Sequence, residues 1–205
     1  MQRNAKILLL SFVLLLICRN PGQASTIFTV DQSNEPASGA FFSIPLNSPI
    51  GQEFTPSQDS LDVVEMLTAT PFPVPNVSLL VNIRQGSIGG PVLGTSFTVF
   101  MPDNFVGMTE TEFDFPSSVA LVPGLLYVMQ IQLSSGVNWG VFGGGPTYTG
   151  GRAIISGEPQ SQTDLWFREG PAVPEPSSLL LVFVGLAAFG GLKMARRSRS
   201  REGRL

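Results

Sequence analysis

Apolar residues recur at every second position along this chain, and nowhere between residues 25 and 170 do they settle into a capped helical period. Val77, Leu79, Val81 and Ile83 alternate with Ser78, Leu80, Asn82 and Arg84. Leu125, Tyr127, Met129, Ile131 and Leu133 repeat the pattern, with Gln130 and Gln132 on the opposite side. Successive side chains of a strand point to opposite faces, so each set forms the apolar face of a sheet. Shorter candidates are 26–30, 40–44, 61–67, 95–101, 112–115, 137–142, 153–156 and 164–168. Turns bearing proline and glycine lie between them, at 33–39, 70–75, 86–91, 102–107, 123–124 and 143–151. About ten short strands at this spacing predict an all-β domain, an antiparallel two-sheet β-sandwich of jelly-roll-like form. No repeat of fixed period is present, so a propeller or solenoid is not expected.

The two ends differ in kind from this domain. Arg3 and Lys6 precede an apolar stretch, Ile7 to Ile17, and Gly22-Gln23-Ala24 places small residues at both recognition positions of a cleavage site. Residues 1–24 therefore read as a secretory signal peptide, cut between Ala24 and Ser25. Cys18 follows Ile17 rather than a small residue, which argues against a lipoprotein signal. At the other end Leu179 to Leu192 is unbroken apolar sequence, followed by Lys193, Arg196, Arg197, Arg199, Arg201 and Arg204. That run rises only about 21 Å as a helix against roughly 30 Å of hydrocarbon, so flanking residues have to lengthen it. The arginines oppose translocation and keep the end in the cytoplasm. The expected organisation is a signal peptide at 1–24, an ectodomain at 25–170, a linker at 171–178, a hydrophobic transmembrane helix at 179–195 and a basic cytoplasmic tail at 196–205.

Charge and composition exclude several functions. Residues 25–174 hold three arginines, Arg84, Arg152 and Arg168, against thirteen carboxylates, a net charge of −10 that the basic tails hide in the whole-chain value of −3. Such a surface repels nucleic acid, and no nucleic-acid partner is expected. Cys18 is the only cysteine and leaves with the signal peptide, and histidine is absent. Ser-His-Asp and Cys-His catalysis and the usual His-ligated metal site are thereby removed. No metal or other cofactor is expected. A carboxylate pair working on a glycoside remains the easiest chemistry to build, and a glycan-active enzyme of that kind is the alternative to a non-enzymatic domain.

Aromatic and polar residues gather between Asn138 and Arg168. Trp139, Tyr148, Arg152, Asp164 and Trp166 are interleaved with Gly143-Gly144-Gly145 and Gly150-Gly151. Aromatic faces flanked by polar donors and acceptors suit a carbohydrate, and the same tryptophans suit a sandwich core. The glycine stretch is no phosphate cradle, because it lacks the lysine and the following helix. Glu110, Glu112 and Asp114 share one face of a strand, where solvated carboxylates are commoner than a catalytic pair. Asp31, Asn34, Glu35, Asp103 and Asn104 read as loop polar groups rather than calcium ligands.

Pro174-Glu175-Pro176, the apolar span and the basic end together form a tripartite address, which resembles the PEP-CTERM sorting signal of Gram-negative bacteria over about residues 173–201. The resemblance implies a membrane-anchored precursor, processing near the Pro-Glu-Pro motif by an exosortase (an integral-membrane cysteine transpeptidase), and a final place at the cell surface or in the extracellular matrix among exopolysaccharide. The stretches Ile50-Gly51-Gln52-Glu53-Phe54, Gly90-Pro91-Val92-Leu93-Gly94-Thr95, Pro123-Gly124-Leu125-Leu126-Tyr127 and Asp164-Leu165-Trp166-Phe167 are similar to the choice-of-anchor type of small exported β-sandwich. That likeness implies a structural or weakly carbohydrate-binding ectodomain and supplies no catalytic residue.

Overall fold

The computed structural model describes residues 26–173. In chain order the strands are β1 (Gln32–Asn34), β2 (Gly39–Ser43), β3 (Ile50–Phe54), β4 (Ser60–Thr70), β5 (Ser78–Gln85), β6 (Val92–Thr95) and β7 (Val99–Phe100). They continue with β8 (Gly107–Ala120), β9 (Tyr127–Ser135), β10 (Gly140–Gly144), β11 (Ala153–Ile155), β12 (Glu158–Pro159), β13 (Asp164–Leu165) and β14 (Phe167–Gly170). One sheet runs β1-β14-β4-β10-β13, with β2 joined to β10 and β8 to β4. The other runs β12-β11-β3-β9-β5-β6, with β7 joined to β5. Every strand pairing in both sheets is antiparallel. Residues 26–173 form an all-β, two-sheet sandwich.

Alternation builds its core. Leu79, Val81 and Ile83 of β5 and Tyr127, Met129 and Ile131 of β9 pack in one cluster with Val64, Met66, Phe113 and Phe167 of the facing sheet. Full burial of a side chain of this kind stabilises the fold by about 1.5–3 kcal/mol. Leu125 departs from the pattern, lying exposed in the turn before β9. The strand expected over 95–101 is broken in two. Ser96 N–H donates to Val81 O, but Phe97 N–H donates to Asp114 O of β8, so this stretch bridges from one sheet to the other. Residues 26–30 make only an isolated bridge, Phe28 to Ala172. The strand expected at 164–168 divides at Trp166, whose N–H donates to Phe142 O.

β3 carries no alternation, and all five of its residues are buried. Gln52 is fed by this burial into a polar link between the sheets: its Nε2 donates to Asp164 Oδ1 at 3.2 Å, and its Oε1 accepts from Leu165 N–H at 2.7 Å. Gly51 is required here, because a Cβ would lie 2.5 Å from Met129 O of the neighbouring strand.

The signal peptide with its Ala24/Ser25 cut, the transmembrane helix at 179–195 and the basic tail fall outside the described residues. Among the described residues no helix is long and apolar enough to cross a membrane. The compact unit that holds the sandwich ends at Ala172. Pro171 and Ala172, expected in the linker, are thus part of the fold.

Candidate functional site

β4 and β8 set Val63 opposite Asp114, Glu65 opposite Glu112 and Leu67 opposite Glu110. Val64, Met66 and Phe113 point into the core, so the pleat turns the intervening carboxylates outward. An open groove of about 340 Å³ lies here, lined by Glu65, Glu110, Glu112 and Asp114 together with Val99, Phe100, Met101, Pro102, Thr109 and Thr111. Phe100 is 80% exposed.

Each of the four acids accepts a hydrogen bond. Arg168 Nη1 donates to Glu65 Oε2 at 3.1 Å and to Glu110 Oε2 at 3.2 Å, while Nη2 donates to Glu35 Oε2 at 2.7 Å. Thr26 donates its N–H to Glu112 Oε1 and its hydroxyl to Asp114 Oδ1, both at 2.7 Å. Partial burial raises the Glu65 carboxyl above its ordinary range, against the pull of Arg168, with Glu110 and Glu112 adding repulsion. Glu35 moves the other way, held down by its hydrogen bond from Arg168. The Arg168 guanidinium also lies 4.7 Å above the Trp166 ring, which it covers.

The residues proposed from sequence for sugar contact fall in four places. Trp139 is 0% exposed and stacks on Phe105, centroids 5.9 Å apart, within the core. Trp166 is 6% exposed beneath Arg168 on the other side of the same domain's first sheet. Tyr148 and Asp164 do meet: Tyr148 N–H donates to Asp164 Oδ2 at 2.9 Å, and Asp164 is buried. The Tyr148 hydroxyl donates to Gln32 Oε1 and accepts from Thr55 N–H, and burial pushes it up to about 12. Arg152 is exposed and pairs with Glu53 at 3.4 Å. Gly143 and Gly144 belong to β10, and a Cβ on Gly143 would stand 2.7 Å from Asp164 O. Gly143 and Gly144 thus serve close strand packing, while Gly145 lies beyond β10 with open space around it.

One buried acid has no counterpart in the sequence reading. Glu169 faces inward beside Phe167, is 0% exposed, and neither carboxyl oxygen makes a hydrogen bond of ordinary geometry. Burial above all, then repulsion from Asp31, raises it to about 8; the Gln32 backbone N–H opposes this only weakly.

Beyond Glu169 the strand runs to the edge of the sandwich. Thr29 N–H donates to Pro171 O at 2.9 Å, and Ala172 N–H donates to Asp62 Oδ2 at 2.9 Å. Residues 172–198 match the PEP-CTERM protein-sorting motif. The chain carries that signal. Pro174, Glu175 and Pro176 lie within the match, as do the apolar run and Arg196 and Arg197. The signal implies export, sorting through an exosortase and a membrane-anchored precursor addressed to the cell surface. No curated protein matches the chain. Asp62, Glu65 and Phe100 were missed from sequence, since only strand pairing brings them to the junction and the groove. The alternation of Glu110, Glu112 and Asp114 was the one legible trace of the groove.

Proposed function

We propose that the exported sandwich is a non-enzymatic structural body, displayed at the cell surface or released into the extracellular matrix among exopolysaccharide. The observation that supports this is the enclosure of both tryptophans, Trp139 in the core and Trp166 under Arg168. An aromatic face hidden in this way offers no platform for a sugar ring. The acids of the groove are likewise engaged, two by Arg168 and two by Thr26, as anchors for the chain ends of the first sheet.

One observation favours a second reading, weak carbohydrate binding or glycan chemistry in the groove itself. Phe100 stands exposed beside carboxylates that accept hydroxyl hydrogen bonds, and burial raises the pKa of the Glu65 carboxyl, the direction that suits a proton donor. The test is retention of the processed protein on immobilised exopolysaccharide of its host, with release of reducing ends followed in parallel. The structural reading expects neither retention nor release. Retention that Phe100→Ala abolishes would replace it with the binding module, and glycan release that Glu65→Gln abolishes would replace it with the enzyme.

A further inference from the structure

The sandwich and the sorting signal share a residue. Ala172 ends the compact domain and begins the matched signal. It is not a loose end: its backbone bridges to Phe28, its N–H is held by the Asp62 carboxylate, and the preceding Pro171 carbonyl is held by Thr29 N–H. Asp62 lies where the β4–β8 register shifts, between Leu61 and Val63, and it also accepts from the Ser118 hydroxyl. Such irregularities re-aim a side chain away from the regular pleat. Here the side chain turns to the backbone amide of Ala172, where the compact domain ends.

Pro174 follows Ala172 by two residues, a reach of at most about 7 Å with the chain fully extended. Enzymes and modules that take an extended peptide do so through its free backbone N–H and C=O groups. On the N-terminal side of Pro174-Glu175-Pro176, Val173 alone separates the motif from backbone already bonded to the sandwich.

We propose that the clasp of Asp62, Phe28 and Thr29 on Pro171 and Ala172 is a latch that restricts entry of the sorting motif into the exosortase. Processing then proceeds through a state in which this edge has opened. The latch rests on the reading that the signal is processed by that enzyme. Opening gives up the Phe28–Ala172 bridge, with its Thr29–Pro171 hydrogen bond, and the bond to Asp62 at the end of the domain while the core strands stay paired, the kind of local fraying that proteins show at low free-energy cost. The latch also ties sorting to folding, since Phe28 and Ala172 meet only when the first and last segments of the domain have both taken their places.

The test follows loss of the tail by pulse-chase and intact mass in a host with an exosortase. It compares wild type, Asp62→Ala, a six-residue Gly/Ser insertion between Ala172 and Val173, and Pro174-Glu175-Pro176 replaced by alanines. The first two changes should each speed processing about tenfold, which corresponds to about 1.4 kcal/mol in the opening equilibrium. The alanine replacement should stop it. Unchanged rates in both accelerating variants overturn the latch. Slower processing of the insertion also overturns it, because the enzyme would then be binding the folded edge. The insertion leaves every residue of the sandwich in place, so it decides the matter if Asp62→Ala does not fold.

A wild type that is never cut refutes the sorting reading instead, and the latch is then judged by hydrogen exchange on the full chain in detergent. The Thr29 and Ala172 amides should be protected in wild type and exchange at least about tenfold faster in Asp62→Ala, with the β5 and β9 amides unchanged. Equal exchange in the two proteins overturns the latch by this route.

Discussion

Glutamine in place of Glu169 should change how the stability of this domain depends on pH, and the size of the change follows from burial. Glu169 is raised from the ordinary 4.5 to about 8. Below pH 4.5 the carboxyl is protonated in both folded and unfolded chains, and it costs nothing in the comparison. As pH rises further the unfolded chain releases its proton while the folded chain keeps it, so stability falls by about 1.4 kcal/mol per pH unit. The loss reaches about 3 kcal/mol at pH 7 and levels off near 5 kcal/mol above pH 8, where the folded form also ionises. A glutamine amide has the same shape and no proton to lose. Urea unfolding of wild type and Glu169→Gln at pH 4, 7 and 9 should therefore give a difference near zero at pH 4, growing to about 3 kcal/mol in favour of the variant at pH 7. The other carboxylates titrate alike in both proteins and cancel. A difference that stays constant across this range would refute the reasoning, because it would mean that Glu169 is charged, and therefore solvated or paired, in the folded protein.

Three further outcomes are expected. Trp139→Ala should destabilise by about 3–5 kcal/mol in thermal or urea unfolding, since it empties a fully buried site against Phe105. Arg168→Ala should cost about 1–2 kcal/mol at low salt, less at 1 M NaCl, because its pairs with Glu35, Glu65 and Glu110 are partly exposed and screened; a loss insensitive to salt would shift the cause to the uncovered Trp166. Melting should be indifferent to reductant, because a single cysteine, Cys18, cannot close a disulfide within the chain, and indifferent to EDTA, a fall with chelator indicating a structural cation instead.

Much of the architecture is written locally. The period of two in 77–83 and 127–133 made β5 and β9 legible, and both apolar sets lie in the core. The sorting signal was legible for a related reason: entry into a bilayer and arrest by cationic residues depend on the order of a short stretch of sequence, not on distant contacts. β3 was not legible, because a strand buried on both faces shows no alternation, and its Gln52 side chain joins Asp164 and Leu165, more than a hundred residues away. The 95–101 segment broke for the same reason, its Phe97 amide finding a carbonyl in the opposite sheet.

The sequence by itself determined that the domain is all-β and acidic, and that the chain is free of histidine and addressed at its C-terminal end. Each of these follows from composition or short-range order. Tertiary structure alone decided which groups are hidden and which are joined. Trp139 and Trp166 look equivalent in sequence, yet one fills the core and the other lies under a guanidinium. Arg168 gathers Glu35, Glu65 and Glu110 across separations of 133, 103 and 58 residues. Asp62 reaches Ala172 across 110. Strand pairing fixes these meetings, and pairing is selected by the burial of whole faces at once, so no local pattern of residues can encode it.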